Sequence, residues 1–214
     1  MLSPAQHNFV SYAGASLAFA LSLPPGAAAT SVHALMWHAH FIRRALETAF
    51  LFRFGSASIP AADSAAEFAY YWLFAFFIAQ GSPDFGSGSA HTALGLAVWA
   101  AAECANCKCH VALASVPKKS AAGARQRVDG RHGPLFGSVS CPHYFFEMLS
   151  WLGFCAATGF NACALVFMLA GGLIMTSYSV ARHESYGPSA AHTPVFPFGI
   201  DVRPPRSVVD ALCL

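Results

Sequence analysis

The chain has 214 residues, 56% of them hydrophobic and 10% charged, with a formal net charge of +2 and a mean hydropathy of +0.48. Soluble domains carry roughly 25% charged residues, so this composition leaves too little polar surface for a water-facing globule. It also excludes intrinsic disorder and the strong single-sign field of a nucleic-acid binder. What remains is an integral membrane protein, all-α, with room for roughly five to seven spans at about 20 residues each.

Taken in chain order, the first apolar run is Phe9 to Leu23, closed by Pro24-Pro25-Gly26. No Lys or Arg precedes it, so it predicts a short or partial first span rather than a signal peptide, with 1–30 forming that span and its loop. Ser31 to Phe54 predicts a long helix in which His40, Arg43, Arg44 and Glu47 share one face by i, i+3, i+4 spacing. Ala65 to Gln80 reads as a plain aromatic-rich span stopped by Gly81-Ser82-Pro83, and His91 to Leu113 as another carrying Asn106 and His110 near its end. Phe145 to Tyr178 is too long for one crossing. Thr158-Gly159-Phe160-Asn161 supplies a turn in its middle, giving a hairpin and a polytopic bundle of about six transmembrane helices.

Lys118, Lys119, Arg125, Arg127 and Arg131 fall between the fourth span and the hairpin, while 24–30 and 81–90 contain no Lys or Arg. The positive-inside rule makes the basic loop cytosolic, and counting crossings puts Arg53 and Arg182 on the same side. Charge bias alone does not require Arg43, Arg44, Glu47, Asn106, Lys108, His110 and Glu147 within or beside apolar helices. Such groups line a cavity or pair with one another, because burying one at membrane depth costs at least ~2.5 kcal/mol. The sequence leaves open a cytosol-facing polar pocket or an Arg43/Arg44–Glu47 ion pair that serves packing alone. Of the seven cysteines, Cys104, Cys107 and Cys109 precede His110, but with no second pair and without C-x-x-C-H spacing they predict neither a metal nor a haem site.

Three segments carry a resemblance. Trp37 to Phe54 (WHAHFIRRALETAFLFRF) resembles the His-x-x-(Lys/Arg)-Arg-x-x-Glu-(Thr)-x-Phe signature of the trans-2-enoyl-CoA reductases, of the steroid 5-alpha-reductase superfamily. Ser140 to Phe154 (SCPHYFFEMLSWLGF) is similar to that family's Ser-Cys-Pro-Asn-Tyr-x-x-Glu-x-x-Ser-Trp-x-Gly-Phe run, and Arg182-His-Glu-Ser-Tyr186 to its basic-His-x-x-Tyr element. The resemblance implies a membrane catalytic domain over 31–198 that uses NADPH to reduce a long-chain trans-2-enoyl-CoA in fatty acid elongation. It further implies a multi-pass protein among the lipids of the endoplasmic reticulum membrane, with the cofactor face cytosolic, beside other elongation enzymes and with no nucleic-acid partner.

By family position, Arg44, Arg53, Asn106, His110, Glu147, His183 and Tyr186 contact the cofactor, and no G-x-G-x-x-G turn is present to hold its phosphates. Tyr144 is the implied proton donor, with Arg43 where the family has Lys. An Arg can stabilise an oxyanion but does not shuttle a proton. His143 stands where the family has Asn and is expected to reach the nicotinamide carboxamide. Arg53 as a snorkelling helix-end anchor and Tyr144 as an interfacial aromatic are the structural alternatives.

Further departures are the displacement of positive charge to Lys118-Lys119, a shortened stretch 187–193, a tail over 199–214 without family counterpart, and a late start with no ubiquitin-like domain ahead of it. These predict a truncated chain and keep an inactive paralogue in view. Arg182 to Gly187 also resembles the Arg-His-Pro-x-Tyr-x-Gly motif of membrane methyltransferases that use S-adenosylmethionine, although the Pro is missing and Ser140–Phe154 has no place in that reading.

Overall fold

The computed structural model describes residues 1–27, 31–55, 58–81, 90–117, 128, 130–133, 135–186 and 192–197. Lys118, Lys119, Arg125, Arg127 and the tail over 199–214 lie outside the described residues. Among the described residues regular structure is helical: α1 (Pro4–Ser22), α2 (Val32–Leu46) running into a π turn (Glu47–Leu51), α3 (Ala61–Gln80), α4 (Ala90–Ser115), α5 (Pro142–Ala157) and α6 (Ala162–Ser185). Among the described residues one helix, α6, is long and apolar enough to cross a membrane, with a mean hydropathy of 1.8.

Local chemistry sets the helix ends. α1 starts five residues before its apolar run because Ser3 and Gln6 form a reciprocal capping box ahead of Pro4. Ser31 caps α2 through the Ala34 N–H. Between α5 and α6 the expected turn is present. Gly159 and Phe160 adopt φ of 63° and 58°, the Phe160 N–H donates to the Cys155 carbonyl at 2.7 Å, and the Asn161 side chain accepts from the Cys163 and Ala164 N–H groups.

The chain divides into two compact units, 1–96 with 153–167, and 97–152 with 168–214. The first is built on Trp37, whose fully buried ring packs on Phe19 at 5.2 Å and Phe41 at 4.6 Å between centroids. Phe154 and Phe167 complete the cluster at 5.9 and 5.6 Å, and the indole N–H donates to the Ala15 carbonyl. Close approach here depends on glycine: a Cβ on Gly95 would meet the Ala157 nitrogen at 2.4 Å and the Gly153 carbonyl oxygen at 2.6 Å, both backbone atoms that cannot turn aside. His33 donates from Nε2 to the Ala157 carbonyl at 2.8 Å, which satisfies an end group of α5.

α3 is less plain than its sequence. Glu67 accepts from His7 Nε2 at 2.8 Å and from the Ser11 hydroxyl, while Ser64 donates to His7 Nδ1 at 3.0 Å, so a polar network ties α1 to α3.

In the second unit Cys109, Ala112, Val128 and Phe136 form a buried apolar cluster. Residues 138–141 pair with 193–194: Val139 bridges Thr193, and the Ser140 and Cys141 N–H groups donate to the Thr193 and Pro194 carbonyls at 2.9 and 3.0 Å.

Candidate active site

In the first unit both guanidinium groups of Arg43 and Arg44 donate to the buried carboxylate of Glu47, Arg44 at 2.6 Å. The ion pair left open by the sequence is therefore formed. Arg44 also reaches the Tyr12 hydroxyl at 3.4 Å and lies over the Tyr12 ring at 5.2 Å, a neighbour that no spacing rule on α2 announces. The π turn explains how this face is kept. By closing on the Glu47 carbonyl from the Phe52 N–H, it inserts an extra residue after Glu47 and lets the chain leave at Phe52 while the carboxylate stays beneath the two arginines. Arg53 lies beyond the turn, exposed, and the structure does not draw it into the Glu47 cluster.

The second unit gathers the other predicted residues. Asn106, buried on α4, donates from Nδ2 to the His143 carbonyl at 2.8 Å and to Glu147 Oε2 at 3.0 Å. The His143 ring, also buried, stands edge-on to His110 at 5.9 Å and tilted against Tyr144 at 4.2 Å between centroids. Ser140 Oγ and His183 Nδ1 are joined by a buried 2.7 Å hydrogen bond, and the Tyr186 N–H donates to the His183 carbonyl. Arg182 precedes His183 in the last turn of α6.

Sequence spacing missed three of these relationships. Ser140 lay inside a quoted motif without a role, Arg182 was named for its charge and as the basic member of a motif but given no role, and Tyr12 sat in a run read as apolar. Only the position of Arg182, immediately before His183 in the last turn of α6, carried a signal. Cys104, Cys107 and Cys109 are free thiols spread around α4, exposed, half-buried and buried in turn, the last within the apolar cluster. Among the described residues no group of three or more His, Cys, Asp or Glu could hold a metal.

The donor set of the second unit fits a nicotinamide nucleotide better than a metal. It comprises a buried amide, a carboxylate, imidazoles and phenols beside one cation, which are partners for a carboxamide and for ribose hydroxyls. Phosphates need Arg or Lys, and of the first unit's arginines Arg43 and Arg44 are already engaged by Glu47.

A Caenorhabditis elegans protein whose name reads probable very-long-chain enoyl-CoA reductase is 32% identical over 162 residues, 70% of this chain and 51% of that protein. The very-long-chain enoyl-CoA reductase of Dictyostelium discoideum is 31% identical over 167 residues, 76% of this chain and 53% of that one. The chain thus spans about half the length of the curated relatives it matches. Residues 57–194 match the family described as 3-oxo-5-alpha-steroid 4-dehydrogenase. That match takes in more than half of the chain, including the Asn106–His143–Glu147 cluster and the Ser140–His183 pair, and the chain belongs to this family.

Proposed function

We propose that this chain is a membrane-embedded oxidoreductase that reduces the trans-2 double bond of a long-chain enoyl-CoA with NADPH, as the last step of fatty acid elongation at the endoplasmic reticulum. The observation that carries the reading is the buried cluster in which Asn106 joins the His143 backbone to Glu147, with Tyr144 against the His143 ring. Relatives named very-long-chain enoyl-CoA reductase are 31% and 32% identical to this chain over most of its length. A membrane setting is supported by large apolar side chains exposed along most of the helices, such as Leu17, Leu21, Phe50, Leu94, Leu169 and Leu173. The methyltransferase reading gains no support from this cluster.

In this proposal Asn106, His110, His143, Glu147, His183 and Tyr186 hold the nicotinamide and ribose part of the cofactor. The bound cofactor supplies a hydride to the β-carbon of the substrate. Tyr144 gives its phenolic proton to the α-carbon of the enolate that hydride addition leaves. The buried amide and imidazoles exclude water from the donor.

The test is turnover by the full chain in microsomes, with a long-chain trans-2-enoyl-CoA and NADPH, followed by loss of cofactor absorbance. Wild-type protein is expected to turn over. Tyr144→Phe should lose about 100-fold or more in kcat with little change in KM, the range that removal of a general acid produces. Well-expressed wild-type protein that consumes no NADPH, or that binds labelled S-adenosylmethionine instead, overturns the proposal.

A further inference from the structure

The buried hydrogen bond between Ser140 and His183 has a direction. It joins Ser140 Oγ, just ahead of α5, to His183 Nδ1, in the last turn of α6, at 2.7 Å. Two arrangements of protons give this contact: the hydroxyl donates to a bare Nδ1, or an Nδ1–H donates to the hydroxyl oxygen. Among the described residues His183 Nδ1 is the one hydrogen-bond partner of the Ser140 hydroxyl. With the proton on Nδ1, the hydroxyl would keep its own hydrogen in a buried place with no acceptor, losing its solvation without return. The hydroxyl therefore donates, Nδ1 accepts, and the proton of the neutral ring sits on Nε2. Backbone holds both partners. The Ser140 and Cys141 N–H groups donate to the Thr193 and Pro194 carbonyls, the Thr193 N–H returns a bond to the Ser138 carbonyl at 3.0 Å, and the Tyr186 N–H closes on the His183 carbonyl at 3.1 Å.

We infer that Ser140 is a positioning residue for cofactor binding: its hydroxyl holds His183 in the tautomer protonated on Nε2, so that the ring gives, and does not take, a hydrogen bond to the nicotinamide nucleotide. The inference rests on the reading of His183 as a cofactor contact. A ring fixed in this way selects among the polar atoms of such a ligand. The carboxamide oxygen, the ribose oxygens and the phosphate oxygens all accept a hydrogen bond, whereas the carboxamide NH2 only donates and finds no acceptor at Nε2. Ser140 thus decides which kind of atom His183 can meet, without touching the cofactor itself.

The test reads the ring and the cofactor separately. The full chain, labelled with 15N at histidine and held in detergent micelles, contains ten histidines, and His183→Asn identifies the His183 resonances. At about pH 8, above the ordinary imidazole range, the long-range 1H–15N spectrum of wild-type protein should show His183 with a bare Nδ1 and a protonated Nε2. Ser140→Thr, which keeps the hydroxyl, should preserve this pattern, and Ser140→Ala should replace it with the averaged signals of two exchanging tautomers. NADPH affinity, followed by the fluorescence of the cofactor, should fall about three- to tenfold in Ser140→Ala and in His183→Asn, the worth of one hydrogen bond. His183→Asn separates binding from folding. Its amide overlaps Nδ1 and still accepts from Ser140 but puts nothing at Nε2, so its unfolding temperature should stay near wild type. If Ser140→Ala does not fold, the wild-type spectrum and His183→Asn still decide the matter. A proton on Nδ1 in wild type, or NADPH binding unchanged in His183→Asn, overturns the inference. Wild-type protein that binds no NADPH overturns the reductase proposal and the donor role together, and the spectrum tells the two failures apart.

Discussion

Ser140 Oγ and His183 Nδ1, 43 residues apart in the chain, share a 2.7 Å hydrogen bond buried between the start of α5 and the end of α6. Ser140→Ala leaves a buried imidazole nitrogen without this partner and should lower stability by about 1–3 kcal/mol. Thermal unfolding in detergent reads the loss. Ser140→Thr, which keeps the hydroxyl, should recover most of it.

Asn106 is expected to tolerate no charge. Asn106→Asp sets a carboxylate against Glu147 and removes the donor from the His143 carbonyl. A loss of about 2–3 kcal/mol in stability should follow. The double variant Asn106→Asp with Glu147→Gln should regain part of it, and a double-mutant cycle of unfolding free energies would show the coupling. Purely additive losses would mean that the two side chains do not meet.

Glu47 holds two arginines. Its replacement by Gln leaves two partly buried guanidinium groups facing a neutral amide. The expected cost is about 3 kcal/mol, the usual result of removing one partner from a buried pair. Glu47→Asp should cost less if its shorter chain still reaches Arg43 or Arg44. Denaturation midpoints of the two variants in mild detergent separate these cases.

Gly95 approaches backbone rather than side chain. Gly95→Ala should destabilise the first unit by about 1–3 kcal/mol through overpacking against Gly153 and Ala157. Gly14→Ala is a second case, since the atoms it would meet belong to the Trp72 indole, which would have to give up its hydrogen bond to the Ser11 carbonyl and its stacking on Phe68. Tryptophan fluorescence and stability should change together in Gly14→Ala.

Much of the architecture was legible in residue order because helices and their ends are local events. The Thr158–Asn161 turn, the start at Ser31 and the breaks at Pro24 and Gly81 each depend on groups a few residues apart, whereas the Ser3 capping box that starts α1 ahead of its apolar run was not read. The shared face of Arg43, Arg44 and Glu47 is equally local, being one turn of helix, although the π turn that completes it leaves no spacing signature. The motifs at 37–54, 140–154 and 182–186 pointed to the family, and the family match covers the last two.

Partner choice was not legible, for a physical reason. Asn106 could have turned to any neighbouring helix, and it is the packing of α4 on α5 that presents its amide to the His143 carbonyl and Glu147. Glu67, in a run that reads as plain and aromatic, finds His7 only because α1 lies along α3. The sequence by itself determined the helical segments, the turn that separates α5 from α6 and the polar residues placed on them, since those follow from spacing within a turn. Only the tertiary structure decided which of those residues meet, because hydrogen bonds and charges act over a few ångströms between segments that the chain keeps tens of residues apart.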